Sequence, residues 1–226
     1  MNADYVQRLR LSFTKTGGAR YIGHLDLART LERALNRARI PMAYSHGFNR
    51  RPRMQMAAAL PLGYTSDHEM ADIWLLETME PSVLQETLMA KMAPGIDIYQ
   101  VDDVPIKAPK LQTLTEKSSY SATMLDPVDM AALRDRVDQL LAETSIIRER
   151  GHGRKRKKYD LRPLILDLSL TTDAEDRAFL EMMLQLLPSK TGRPDEVLMA
   201  LELDPLDSRI NRTQIFLREE TAVVKN

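Results

Sequence analysis

The residues best suited to chemistry lie in one short stretch of the sequence, AYSHGFNRRPR at positions 43–53. A phenol, an imidazole and a carboxamide are followed there by three guanidinium groups: Tyr44, His46, Asn49, Arg50, Arg51 and Arg53. Aromatic and histidine rings stack on unpaired RNA bases, whereas arginine side chains bind phosphate oxygens. The stretch therefore predicts a loop that recognises phosphate and base together, with RNA as the partner.

Cleavage of RNA is the alternative that the same residues allow. A ribonuclease that works without a metal needs an acid, a base and a cation near the scissile phosphate. The candidates for acid and base are His46, Tyr44 and His24, which stands at the start of a predicted helix two residues before Asp26. Because histidine and tyrosine also serve RNA-binding loops simply by stacking on unpaired bases, we favour binding over cleavage and expect no catalytic activity of the chain itself.

The composition excludes several kinds of active site. The 226-residue chain has no cysteine, which excludes disulfides, thiolate metal sites and iron–sulfur clusters. Its four histidines are not spaced as a metal pair on one helix face, so we expect neither a metal nor a cofactor. No run of about 20 apolar residues occurs and no signal-peptide core is present, so we expect a cytoplasmic protein without a membrane partner.

Charge is strongly segregated along the chain, although 32 basic and 32 acidic residues cancel overall. Residues 1–60 hold 11 Lys and Arg against three acidic residues, and residues 66–105 hold nine acidic residues against one lysine. Residues 146–162 hold eight basic residues against two acidic ones. Clusters of basic residues of this kind favour binding to a polyanion.

The second basic segment contains GHGRKRKK, in which five cations follow each other: Arg154, Lys155, Arg156, Lys157 and Lys158. The predicted RNA contacts are these five cations, Lys15 and Arg20 of an N-terminal glycine-containing loop, and Asn49, Arg50, Arg51 and Arg53. Whether residues 151–158 bind RNA or an acidic protein surface stays open at this point.

Alternating and helical patterns predict an α+β fold. Residues 8–14 alternate as a half-buried strand, and a helix follows in which Leu27, Leu31 and Leu35 recur every four residues. Each half of the chain then reads as β-α-β-β-α-β, the order of a ferredoxin-like unit. We predict two tandem ferredoxin-like halves, with domains at 1–107 and 118–226 joined by a linker near residues 106–117.

The N-terminal half also resembles a known bacterial family, the radical-SAM-linked proteins, which are encoded beside or fused to a cobalamin-dependent radical SAM protein. The resemblance is carried by motifs in a fixed order: Lys15, Gly17 and Arg20; His24-Leu25-Asp26-Leu27; Glu32-Arg33-Ala34-Leu35; Tyr44-Ser45; Gly47-Phe48-Asn49; Pro52; and Leu60-Pro61-Leu62-Gly63 before Ser66 and Glu69. The second half matches more loosely, through residues 161–164 and 193–196. The sequence departs from the family at Arg50, where a proline is usual, so the loop is more basic than in other members.

The resemblance implies a radical SAM protein as a partner and no established reaction. Together with the basic segments, it predicts an RNA-binding accessory protein that takes part in RNA modification or processing. A metal-independent endoribonuclease and an adaptor that binds only the radical SAM protein are the alternatives. The tandem fold is also similar to that of CRISPR-repeat endoribonucleases, a likeness at the level of the fold alone.

Overall fold

The computed structural model describes residues 5–46, 50–151 and 156–218, which fall into two units. Of the described residues, the N-terminal unit comprises those from 5 to 115 together with 215–218, and the C-terminal unit comprises those from 116 to 214. The two domains at 1–107 and 118–226 stay a prediction. None of the described helices is both long and apolar enough to span a bilayer.

The N-terminal unit is an antiparallel sheet with α1 and α2 on one face. Its elements are β1 (Gln7–Lys15), a 3-10 turn (Gly17–Tyr21), α1 (His24–Arg37), β2 (Met54–Met56), β3 (Thr65–Leu75), α2 (Pro81–Met89), β4 (Ile98–Asp103) and the short α3 (Leu111–Leu114). The strand order is β2-β3-β1-β4, because β1 pairs with β3 on one side and with β4 on the other.

The predicted alternation in β1 and periodicity in α1 build the core of this unit. Leu9 and Leu11 point to the helical side of the sheet and are fully buried in one cluster with Leu31 and Leu35 of α1. The helix begins after Gly23 and ends at Arg37, four residues before the expected stop at Pro41. Arg39, just beyond its end, has a φ of 54°, the left-handed conformation with which helices commonly terminate.

The opposite face of β1 holds a buried ion pair. The guanidinium of Arg8 donates from Nε to Asp72 Oδ2 at 3.0 Å, and Arg10 donates from Nε to Asp72 Oδ1 at 2.8 Å. Arg8 also donates to the carbonyls of Ala108 and Pro109. The segment predicted to be a linker at 106–117 therefore packs on the sheet, and within it Leu111 is buried in α3.

The C-terminal unit contains antiparallel sheet strands and a separate two-stranded hairpin. Its elements are β5 (Thr115–Met124), α4 (Met130–Ala142), β6 (Ile147–Arg150), β7 (Lys157–Asp160), a 3-10 turn (Arg162–Leu164), β8 (Ile165–Thr172), β9 (Ala178–Leu187), β10 (Lys190–Thr191), α5 (Pro194–Ala200), a second turn (Pro205–Asp207) and β11 (Ser208–Leu217). Strand β9 lies between β5 and β8, and β11 follows on the other side of β5.

The predicted α+β class is confirmed by this mixture of helices and antiparallel strands. Residues 178–187, whose pattern suited either a helix or a strand, form β9. The sequence of residues 146–170 predicts a long basic hairpin of two strands joined by a glycine- and lysine-rich turn. The hairpin is shorter in the structure, because β7 ends at Asp160 and a 3-10 turn separates it from β8. That the two halves are tandem ferredoxin-like domains stays a prediction.

Candidate nucleic-acid interface

The backbone on both sides of the predicted recognition loop is held in place by hydrogen bonds. Ser45 N donates to Arg51 O at 2.9 Å and Arg53 N donates to Ala43 O at 2.7 Å, so the two flanks pair as a short antiparallel ribbon. Pro52 is bridged with Tyr44 between these two bonds, a position at which its missing N–H costs no ladder bond. Residues Gly47, Phe48 and Asn49 lie outside the described residues.

This ribbon is anchored to the end of β3. Ala43 N donates to Trp74 O at 2.8 Å, and Trp74 N donates to Arg53 O at 3.2 Å. Because Trp74 belongs to a strand whose core face is fully buried, the anchor fixes the direction in which the side chain of Arg53 leaves the backbone. The loop predicted from its residue types is thus carried by a rigid strand.

A cavity of about 210 Å³ opens beside the ribbon, and we call it the loop pocket. Its lining combines aromatic, basic and small side chains: Tyr5, Ala43, Tyr44, Ser45, His46, Arg50, Arg53 and Leu76. Tyr44 is 41% exposed and its hydroxyl donates to Asn36 Oδ1 at 3.1 Å, which orients the ring at the rim. His46 and Arg50 are exposed as well, so a ligand can reach them from solvent.

Arg53 is held between aromatic rings in this pocket. Its guanidinium carbon lies 4.4 Å from the centroid of Tyr5 and 5.2 Å from that of Trp74, and the two rings meet edge to face at 6.4 Å. A guanidinium over a ring keeps its charge and most of its donors, so it can still bind an anion. The aromatic rings thus orient the guanidinium of Arg53. A carboxylate in their place would have neutralised its charge.

The charges of the three loop arginines are not compensated within the described part of the chain. No carboxylate of the described residues lies within 4 Å of Arg50, Arg51 or Arg53, whereas Arg8 and Arg10 share Asp72. The excess of positive charge over residues 1–60 is therefore divided. One part is neutralised inside the protein, and the loop arginines carry their charge to the surface.

Lys15 and Arg20, the other predicted contacts in this unit, do not line the pocket. Lys15 is buried, with 1% of its surface exposed, and Nζ donates to Tyr64 O at 3.1 Å. The lysine thus ties β1 to the turn before β3, and we leave it out of the proposed interface. Arg20 is half-buried, and its guanidinium lies 5.2 Å from the ring of the exposed Tyr21.

The structure separates the three candidates for acid–base chemistry. Tyr44 and His46 line the loop pocket together with Arg50 and Arg53. His24 is the half-buried first residue of α1 and is not among the lining residues. Tyr44 and His46 therefore share the loop pocket with cations, and His24 does not line it. Among the described residues no cluster of three or more acidic, histidine or cysteine side chains has the arrangement of a metal site.

Sequence reasoning missed Tyr5, Asn36, Trp74 and Leu76, which complete or orient the pocket. Tyr5 lies 48 positions before Arg53, and Trp74 lies 21 positions after it. Neither spacing is a recognisable motif. Only the hydrogen-bonded pairing of the ribbon with β3 brings these residues together, and that pairing belongs to the tertiary structure.

A histidine–tyrosine pair elsewhere in this unit was also missed. His68 Nδ1 and the hydroxyl of Tyr99 are within hydrogen-bonding distance, and the two rings are 6.1 Å apart. Burial lowers the pKa of His68 below its ordinary value. Burial also raises the pKa of the Tyr99 hydroxyl, and the charges of Asp67 and Glu69 add to this effect against a hydrogen bond from Ser12. We assign this pair to stability.

The second predicted contact region is the hairpin of β6 and β7 with the residues between them, which we call the basic hairpin. Arg156, Lys157 and Lys158 are exposed on it. Glu149 stands opposite Lys158 and lies 3.9 Å from both Arg156 and Lys158, a distance at which an exposed ion pair contributes little. The predicted contacts Arg154 and Lys155 lie outside the described residues.

Asp160, the other acidic residue near these cations, binds backbone N–H groups through one of its carboxylate oxygens. Its Oδ1 accepts from Ile146 N at 2.8 Å and from Arg162 N at 3.0 Å. The hydrogen bond from Ile146 is the main reason why the pKa of Asp160 is lowered. The carboxylate therefore closes the base of the basic hairpin and leaves the charge of Lys157 and Lys158 largely uncompensated.

Comparison with known proteins identifies a family. No curated protein matches the chain. A solved Cbf5–Nop10–Gar1 complex is 9% identical with a TM-score of 0.48, and the match covers 96% of this chain and 51% of that chain. An archaeal box H/ACA sRNP Nop10–Cbf5 complex is 10% identical with a TM-score of 0.45, covering 97% of this chain and 55% of that chain. The chain spans about half the length of these matches, and a likeness so remote carries no argument about function.

A family model also matches the chain. A model described as "Uncharacterized protein conserved in bacteria (DUF2344)" matches residues 8–194. Neither this description nor the two solved complexes names a radical SAM protein or a CRISPR-repeat endoribonuclease. Because the match covers most of its length, the chain belongs to the DUF2344 family of bacterial proteins.

Proposed function

We propose that the chain is an RNA-binding accessory protein that holds unpaired RNA at the loop pocket. The observation that carries this proposal is the combination found there: arginines without a carboxylate partner among the described residues, beside the rings of Tyr5, Tyr44 and His46. Arginine charges bind the phosphates, and the rings offer stacking surfaces to bases that are not paired. The exposed cations of the basic hairpin provide a second binding surface for the phosphate backbone.

The size of the loop pocket supports a polymeric ligand. Pockets that bury a whole small molecule usually enclose about 300–1,000 Å³, and the loop pocket encloses about 210 Å³. It can therefore hold part of a nucleotide while the rest of the strand continues over exposed arginines. Double-stranded RNA hides its bases, so we expect single strands to bind more tightly than duplexes of the same length.

The test is a binding titration with a fluorescently labelled single-stranded RNA over a series of salt concentrations. The variant replaces Arg50, Arg51 and Arg53 with glutamine, and the control replaces Arg177, which is paired with Asp173 in the C-terminal unit. The loop variant should weaken binding and reduce the slope of log affinity against log salt by about 0.7 for each phosphate that the protein no longer neutralises. Unchanged affinity and slope in the loop variant would refute the proposal.

Cleavage is a second candidate because Tyr44 and His46 share the pocket with two arginines. An imidazole and a phenol beside cations are the groups that a metal-independent ribonuclease requires. In this case labelled RNA should be cut in the presence of a chelator, and His46→Ala should abolish cutting while RNA still binds. If RNA stays intact after prolonged incubation with the wild-type protein, cleavage is excluded and binding remains as the single proposed role.

A radical SAM protein is the proposed partner, on the strength of the sequence resemblance. The chain has no cysteine and so cannot hold the iron–sulfur cluster of such an enzyme itself. A purified radical SAM protein from the same genome should be captured by this chain, with or without RNA. Capture of that protein together with failure to bind any RNA would favour the adaptor that binds protein alone.

A further inference from the structure

A second cavity, of about 310 Å³, lies in the C-terminal unit where the basic hairpin meets the turn between β9 and β10. We call it the hairpin pocket. Its walls include Arg150, Tyr159, Asp160, Leu164, Gln185 and Lys190. These residues come from five different elements, and none of them was predicted as a binding residue from the sequence.

Arg150 is the charged group that the fold leaves available in this pocket. Its guanidinium carbon lies 4.8 Å from the centroid of Tyr159, and Nη2 makes only a long bond of 3.4 Å to Thr191 O. Its Nε is buried and has no hydrogen-bond partner among the described residues.

A second cation lies at the same cavity. Lys190 is exposed in β10, and no carboxylate of the described part of the chain lies within 4 Å of it or of Arg150. Lys157 of the basic hairpin stands directly opposite Arg150 in the β6–β7 register and is also exposed. The pocket therefore favours an anionic ligand.

The other residues that line the hairpin pocket do not suit a simple anion. Leu164 and the ring of Tyr159 offer apolar surface, and Gln185 offers both an amide donor and an acceptor. Asp160 adds a carboxylate whose pKa is lowered, mainly by its hydrogen bond from Ile146, so it is ionised at neutral pH. A ligand that is negative throughout would be repelled by it, whereas a ligand with an amino group would find an acceptor.

We propose that the hairpin pocket binds a nucleoside monophosphate whose base carries an exocyclic amino group. The phosphate is bound by Arg150 and Lys190, and the planar base packs against Tyr159 and Leu164. The amino group of the base donates to Asp160, with Gln185 in reach of the rest of its edge. At about 310 Å³ the cavity is at the lower end of the sizes that enclose a whole small ligand.

The nucleotide could be free in solution or form the 5′ end of an RNA strand, since both present the same chemistry. The proposal does not rest on RNA binding at the loop pocket, because no residue is common to the two cavities. Failure of one site can therefore be told from failure of the other.

Calorimetric titration of the full-length protein with AMP tests the proposal. AMP should bind more tightly than UMP, which lacks the amino group, than adenosine, which lacks the phosphate, and than inorganic phosphate. Arg150→Gln should weaken AMP binding about tenfold or more, as expected when a charge-assisted bond is removed. Lys190→Gln, a change at an exposed position, should weaken AMP binding without a risk to folding, and Arg134→Gln, also at an exposed position of the same unit, is the matched control.

The two sources are then distinguished by competition. Displacement of AMP by a 5′-phosphorylated oligoadenylate, and not by the 5′-hydroxyl form, would identify the ligand as an RNA end. Failure of both strands to displace AMP would identify a free nucleotide. The proposal is overturned if AMP binds no better than inorganic phosphate, or if Arg150→Gln and Lys190→Gln both bind AMP like the wild-type protein.

Discussion

The guanidinium of Arg53 lies 4.4 Å from the ring centroid of Tyr5, although the two residues are far apart in the sequence. The ring holds the cation at the wall of the loop pocket without neutralising it. A cation–π interaction of this kind at a partly exposed site contributes about 0.5–1 kcal/mol. The expected role of Tyr5 in RNA binding is to position the charge of Arg53. Substitution of Tyr5 tests this role without removing the charge.

Replacing Tyr5 with leucine should weaken RNA binding about two- to fivefold, since the ring that orients Arg53 is removed and the guanidinium is freer to move. The salt dependence of binding should stay the same, because the number of cations is unchanged. Arg53→Gln, by contrast, should lower both the affinity and the salt slope. Binding titrations at four or more salt concentrations measure both quantities.

Tyr21→Leu is the control for this prediction. Tyr21 is exposed and stacks with Arg20 in a similar manner, but it does not line the loop pocket. The positioning role of Tyr5 is wrong if the two leucine variants weaken RNA binding equally.

Asp72→Asn should destabilise the protein by roughly 3–5 kcal/mol, because it leaves the buried charges of Arg8 and Arg10 without a carboxylate. Asp72 is fully buried and Arg8 is nearly so. The exposed pair of Asp26 and Arg29 at 3.3 Å provides the control, and Asp26→Asn should change stability by less than about 1 kcal/mol. Urea denaturation followed by circular dichroism measures both, and equal losses of stability would contradict the prediction.

These two relationships show what the sequence could and could not predict. Alternation in β1 and the four-residue period in α1 are local, so the buried Leu9, Leu11, Leu31 and Leu35 follow from them. Neutralisation of each basic side chain, by contrast, does not depend on its neighbours in the sequence. Whether an arginine meets a carboxylate depends on the strand that pairs with its own, and Asp72 is 64 positions from Arg8.

The residues of the candidate site could likewise be predicted only in part from the sequence. Residue types alone marked the loop arginines, Tyr44 and His46, because their combination within a few positions is unusual. Lys15 belongs to a motif of the resembled family, and nothing in its neighbourhood indicated that its ammonium group would be buried against Tyr64 O. No sequence pattern indicated the hairpin pocket, because Gln185 and Lys190 reach Arg150 only through the packing of β9 and β10 beside the basic hairpin.

The pair of His68 and Tyr99 predicts how stability depends on pH. Burial lowers the pKa of His68 in the folded state below its ordinary 6.5, so the unfolded chain binds the proton more readily. The stabilisation is complete above pH 6.5 and is lost as the pH falls through the folded-state pKa. We expect the urea midpoint to decrease between pH 7.5 and pH 5, and part of that decrease should be absent in His68→Gln.

Tyr99→Phe gives the matching control. It removes the hydroxyl but leaves His68 in place, so most of the acid dependence due to burial of the imidazole should remain. If His68→Gln and the wild-type protein lose the same stability between these pH values, the histidine does not contribute to the acid dependence.

The basic hairpin gives the last prediction. Lys157→Gln together with Lys158→Gln should weaken binding of single-stranded RNA and reduce the salt slope by up to about 1.4, or 0.7 for each phosphate that is no longer neutralised. Both side chains are exposed, and within the described part of the chain only Lys158 approaches a carboxylate, at 3.9 Å. The free energy of unfolding should therefore change by less than about 0.5 kcal/mol. Arg134→Gln with Arg177→Gln is the control, since it removes the same charge from exposed positions of the same unit. If the hairpin variant binds RNA with unchanged affinity and slope but no longer captures the radical SAM protein, the basic hairpin is a protein-docking element.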